Sequence, residues 1–202
     1  MSLWRAGQPL VLASRSASRR AMLEAAGIPL EVNVPELDER AMEAAAGPRG
    51  SVEAAALLAR EKAKAVAQHM PDRLVVGADQ TLALGSRRFD KPCDRAAARD
   101  QLMTLAGHTH HLHSAVAAAR NGTVLFEDTE TASLSMRTLS ESFLDGYMDA
   151  AGGAVLDSVG AYQLEKLGIH LFERIEGDHF TILGLPLLKL LGFLRRQGWL
   201  AG

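Results

Sequence analysis

Apolar and polar positions along the 202-residue chain alternate between strand-like and helix-like spacing. Leu10-Val11-Leu12-Ala13 is a short apolar run of strand character, followed by serines and arginines. A helical pattern carrying Met22, Leu23, Ala25 and Ala26 then stops at Gly27. Leu30 to Val34 alternates like a half-buried strand, whereas Pro35 to Gly50 is polar and reads as loop with one helical turn. Ser51 is placed to cap a long helix reaching His69, its apolar positions spaced for one buried face and its outer face lined by acid–lysine pairs.

Leu74 to Asp79 is an apolar run that a carboxylate ends, and Thr81–Leu84 with Arg87–Asp90 flank Gly85-Ser86 as a hairpin. A helix is expected from Asp94 to Leu105, stopped by Gly107. Two long strands follow, His110–Arg120 and Thr123–Met136, joined by Asn121-Gly122, whose residue types suit the positive φ of a tight hairpin turn. Ser140 to Ala150 reads as a helix with a serine cap, and Ile169 to Ile175 as a strand. Phe180 to Leu194 reads as a buried core helix, too short for the roughly 20 residues of a membrane span, with Pro186 suited to the first turn of the last helix. Strands alternating with helices around a long hairpin give an α/β fold with a mixed sheet.

Composition narrows the function classes. A net charge of −2 offers no global attraction for nucleic acid or anionic lipid, so an anion site must be local. The single Cys93 rules out an internal disulfide and favours a reducing compartment. Met1 to Pro9 lacks the apolar run of a signal peptide. The expectation is a cytoplasmic protein bound to neither membrane nor nucleic acid.

The chemistry concentrates in a few places. Ser14, Ser16, Ser18, Arg15, Arg19 and Arg20 follow a strand and open a helix. Free backbone N–H groups and guanidinium forks there suit phosphate. Asp79, placed at a strand end, can hold Mg²⁺ or position a water. Asp38-Glu39 offers further oxygen ligands, while Lys62 sits on a charged helical face and Lys91 just before Pro92. The group His108, His110, His111 and His113 lacks zinc-ligand spacing and reads as exposed strand-edge histidines, with His111 and His113 on one face and His110 on the other. No Walker lysine motif, glycine-rich dinucleotide loop or Gly-x-Ser-x-Gly elbow occurs.

In order, Leu12–Arg20, Asp38-Glu39, Ala59–Ala63, Val76–Gln80, Asp90–Pro92, Gly160–Tyr162 and Gly184–Pro186 resemble the Maf (septum formation) family of nucleoside triphosphate pyrophosphatases. The resemblance implies an elongated mixed sheet flanked by helices, similar to the inosine triphosphate pyrophosphatases. It implies one domain over residues 1–202, as a single body or as two lobes around a central cleft, often dimeric. The implied reaction converts a nucleoside triphosphate to monophosphate and pyrophosphate with a divalent metal, Mg²⁺ or Mn²⁺. Asp79 would activate water; Ser14, Ser16, Arg19, Arg20, Lys62 and Lys91 would hold the triphosphate; Glu39 and Asp79 would bind metal. At three positions that set base preference, the thymidine/uridine triphosphate type has Arg, Thr and Gln, and the 7-methyl-GTP type has Trp, Gln and Glu. This chain has Ser18, Gln80 and Glu165. Glu165 suits a guanine edge, but Ser18 cannot stack on a cationic base as Trp does. The family's name also leaves open a nucleotide-binding regulator of division with little turnover.

Overall fold

The computed structural model describes residues 3–47 and 50–202, so Met1 and Ser2 of the N-terminal segment and Pro48 and Arg49 of the polar stretch lie outside the described residues. The strands are β1 Leu10–Leu12, β2 Leu30–Val32, β3 Val75–Leu84, β4 Arg87–Phe89, β5 Thr109–Arg120, β6 Thr123–Met136 and β7 Phe172–Glu176. The helices are α1 Ala17–Ala25, α2 Glu39–Ala46, α3 Ser51–His69, α4 Arg95–Leu105, α5 Glu141–Ala151, α6 His179–Ile182 and α7 Leu187–Arg196. One mixed sheet runs in the order β2-β1-β3-β5-β6-β7, with β4 paired to β3 off this path. β1 pairs parallel with β2 and β3, whereas β4 runs antiparallel to β3 and β7 antiparallel to β6.

The chain divides into two compact units. The first comprises residues 1–80, 114–130 and 184–202. Its core is built on small residues. Ala55, Ala59, Ala63 and Ala67 recur every fourth position along α3 and pack with Val11, Val75 and the odd-numbered alanines of β5. Short side chains allow the helix to lie close to the sheet, and Gly77 takes this to the limit. A Cβ on Gly77 would lie 2.2 Å from the Ala59 carbonyl oxygen and 2.6 Å from the Ala63 nitrogen. β1 is buried at every position and β3 at nearly every one, as strands covered on both faces are. The tight turn between β5 and β6 has positive φ at both residues, Asn121 (52°) and Gly122 (73°), as its sequence requires.

The second unit comprises residues 81–113 and 131–183. Here the core uses large side chains: Leu82, Leu102, Leu134, Leu144, Met148 and Leu171 are all essentially inaccessible. Inside it lies His110, fully buried, with Nε2 2.7 Å from the Tyr162 hydroxyl. Phe172 packs against both rings. Burial drives the His110 pKa down to about 4, with the neighbouring His111 a lesser cause. The expected row of exposed strand-edge histidines is therefore wrong for His110, because β5 is an interior strand of the sheet. His111 and His113 do share a face, their rings stacked at 6.2 Å.

Other expectations change in detail. The polar stretch forms the whole helix α2, because Asp38 caps it by accepting from the Ala41 N–H. Gly50, not Ser51, is the residue before α3. The strand expected over Ile169–Ile175 begins only at Phe172, after a tight helical turn over Leu167–Leu171. The single helix expected over Phe180–Leu194 is two, α6 and α7: the first ends at Ile182, Gly184 turns the chain at a φ of 97°, and Pro186, expected inside the last helix, is the cap residue just before it. Among the described residues no helix is long and apolar enough to cross a membrane.

Candidate active site

The site is built on β1, β3, α1, α2 and α3 of the first unit. β1 and β3 are in parallel register, Leu12 opposite Val76, but β1 ends at Leu12 while β3 continues to Leu84. Asp79 therefore lies within β3 and not at its end, the place the apolar run suggested. Beside it the neighbouring strand has already ended. Alternation along β3 sends Val75, Gly77 and Asp79 to the face that α3 covers. With Gly77 seating α3 against the strand, Lys62 of that helix reaches over Asp79.

The resulting contacts are short. Lys62 Nζ donates to Asp79 Oδ1 at 2.7 Å and lies 2.9 Å from Glu39 Oε1. The Lys62 side chain is 13% exposed and that of Asp79 12%, whereas Glu39 is nearly half exposed. Lys62 is thus not the surface lysine its helical face suggested. Burial raises the Asp79 pKa above the ordinary carboxylate range, even though the cations of Lys62 and Arg19 pull the other way. A carboxylate so held is a stronger base than one in water.

The Ser14–Arg20 segment divides between loop and helix. Ser16 caps α1 by accepting from the Arg19 N–H at 3.3 Å, which puts Ser18, Arg19 and Arg20 in the helix's first turns. Arg19 turns inward. Its Nη1 donates to the Ala78 carbonyl at 2.8 Å and to Ser14 Oγ at 3.1 Å, and its Nε to the Gly184 carbonyl at 2.7 Å. Because the Ala78 peptide leads straight into Asp79, this one guanidinium ties the serine loop to the carboxylate. Burial lowers the Arg19 pKa, opposed by the charges of Asp79 and Glu39. Ser14 Oγ accepts from Arg19 and from the Ser16 N–H, so its own proton is left to donate.

The chain from residue 9 to residue 197 matches the family model for Maf-like protein. The chain belongs to this Maf-like family. A relative from Rhodopseudomonas palustris (strain ATCC BAA-98 / CGA009) named nucleoside triphosphate pyrophosphatase is 56% identical over 201 residues, covering all of both chains. One of the same name from Bradyrhizobium diazoefficiens is also 56% identical over the full length of both. Among solved structures, a HAM1 protein from Coxiella burnetii is similar over 63% of this chain and 72% of its own, at 16% identity and a TM-score of 0.43.

The fold thus gathers Ser14, Ser16, Arg19, Lys62, Asp79 and Glu39 of this Maf-like chain in the first unit. Arg20 instead points outward and pairs with Glu24 one turn along. Gln80, on the strand face opposite Asp79, donates to Ser114 Oγ at 2.9 Å. Lys91, exposed between β4 and α4, and Glu165, exposed in a turn, belong to the second unit. Sequence reasoning missed the carbonyls of Ala78 and Gly184 as Arg19 acceptors, and missed the role of Gly77. Both glycines stood in segments that carried the family resemblance, but a backbone acceptor leaves no mark on residue type.

Proposed function

We propose that this chain hydrolyses a nucleoside triphosphate to a nucleoside monophosphate and pyrophosphate. The observation that carries the reading is the buried Asp79–Lys62 pair, joined to the serine loop through Arg19. The names of relatives at more than 50% identity over the whole chain support the same reaction.

In this reading the α1 N-terminus, the Ser14 hydroxyl and the outer guanidinium edge of Arg19 receive phosphate oxygens. Lys62 supplies a mobile positive charge on a flexible stem. Asp79, with its raised pKa, orients a water and takes its proton as the oxygen adds to the α-phosphorus. The bond from that phosphorus to the bridging oxygen breaks, and pyrophosphate departs with the electron pair. The proton on Asp79 then passes to solvent.

Glu39 and Asp79 suit a divalent cation, Mg²⁺ or Mn²⁺. They are hard oxygen donors that converge on one point, already marked by the Lys62 ammonium. Among the described residues no group of three or more His, Cys, Asp or Glu side chains could hold a metal, which suits a cation completed by substrate phosphates. When bound, it supplies positive charge to the phosphate oxygens. Lys91 belongs to the reading as a further phosphate ligand, and Gln80 with Glu165 as readers of a guanine-type base, 7-methyl-GTP included. A cytoplasmic homodimer is the setting that the family resemblance implies.

Pyrophosphate release, measured across a panel of standard and modified nucleoside triphosphates with and without Mg²⁺ or Mn²⁺, tests the activity and the base. Asp79→Asn is expected to lower kcat by ~10²–10⁴ while nucleotide still binds. Full turnover in that variant removes Asp79 from the mechanism.

A further inference from the structure

Two carboxylates and one ammonium share the heart of the site. Lys62 Nζ stands 2.7 Å from Asp79 and 2.9 Å from Glu39, on a side chain only 13% exposed. A divalent cation bound by those same carboxylates needs oxygen at about 2.0–2.1 Å for Mg²⁺, inside the space the ammonium fills. A dication and an ammonium packed that closely repel strongly where water is scarce. Both cannot serve the two acids together.

We infer that Lys62 is an internal competitor for the metal position, holding Glu39 and Asp79 until a polyphosphate draws its ammonium away. The inference rests on the proposed reading, in which those acids bind the cation. Three features support it. Lys62 rises from α3, which lies so close to β3 at Gly77 that the ammonium is set directly over Asp79. Its stem is flexible and can swing between partners. A triphosphate also carries enough negative charge to replace both carboxylates as the partner of one ammonium. The nucleotide-free protein should then take up metal poorly, and nucleotide and cation should bind with positive coupling.

The test is Mn²⁺ binding to nucleotide-free protein, followed by electron paramagnetic resonance of the free ion. The proteins are wild type, Lys62→Gln, Lys62→Met and Lys62→Arg, each checked for a cooperative thermal melt. Lys62→Met keeps the packing of the stem, so the test survives if Lys62→Gln does not fold. Either neutral variant is expected to bind Mn²⁺ at least about tenfold more tightly than wild type, which corresponds to ~1.4 kcal/mol. Lys62→Arg should stay near wild type because the charge remains. Adding Asp79→Asn to the neutral variant should abolish the gain, which locates the ion. Unchanged or weaker Mn²⁺ binding in the neutral variants overturns the inference, as does a gain that survives Asp79→Asn. The reading beneath it fails separately, through absence of pyrophosphate release by wild type with every triphosphate tested.

Discussion

His110 provides a prediction whose size follows from its surroundings. The imidazole is fully buried; Nε2 meets the Tyr162 hydroxyl at 2.7 Å, and Nδ1 has no hydrogen-bond partner among the described residues. The folded pKa of about 4 lies below the ordinary 6.5, so between these values the unfolded chain binds the extra proton and the folded chain does not. Stability from this group is complete above pH 6.5, is lost as pH falls towards 4, and changes no further below that. The whole gap is worth ~3 kcal/mol, of which ~2 kcal/mol is already lost at pH 5. His110→Phe combined with Tyr162→Phe removes the titrating group and the hydroxyl that would otherwise be left unpaired. Urea unfolding at pH 7.5 and pH 5.0 should then show wild type losing ~2 kcal/mol more than the double variant. With a slope of ~3 kcal/mol per molar urea, that is a midpoint difference of ~0.7 M. The probe should be backbone circular dichroism, because Trp4 and Trp199, the only two tryptophans, both belong to the first unit. Equal pH sensitivity in the two proteins would show that protonated His110 finds a partner inside the fold, and would refute the reasoning.

Two further substitutions probe the first unit. Gly77→Ala puts a methyl group into the backbone of α3 and should cost ~2 kcal/mol in urea unfolding; it should also depress kcat for pyrophosphate release by shifting Lys62 off Asp79. A wild-type midpoint would mean that α3 can move aside. Arg19→Lys cannot reach Ser14, Ala78 and Gly184 at once, so stability followed by tryptophan fluorescence should fall by ~3 kcal/mol, with kcat/KM reduced about a hundredfold. Retained stability would deny Arg19 its structural part.

Much of this was legible in the residues, for identifiable reasons. Asn121-Gly122 specifies its turn because few residue pairs tolerate two positive φ angles, and β5 and β6 follow from it. Asp94 and Ser140 mark helix starts because each side chain satisfies a backbone N–H three residues on. Asp79 misled because an acid in mid-strand is normally unaffordable; Lys62 and Arg19 make it tolerable, and neither is near it in sequence. Lys62 itself could not be seen facing inward, since the acids it meets lie on α2 and β3 and not on its own helix. His110 was hidden for a similar reason. Position in a sheet is a property of strand order, which local alternation does not encode.

The hydrogen bond from Arg19 to the Gly184 carbonyl joins positions 165 residues apart. During synthesis the serine loop and the Ala78 carbonyl are made well before the segment holding Gly184, so Arg19 can reach one of its two carbonyl acceptors long before the other. Residues 184–202 complete the first unit, so a nascent chain has β1, α1 and α3 in hand but lacks the Gly184 acceptor of Arg19. The long closure costs little extra equilibrium free energy, since that penalty grows only with the logarithm of length. It acts on timing instead: the Arg19–Gly184 hydrogen bond can form only after all but the final segment of the first unit has been made.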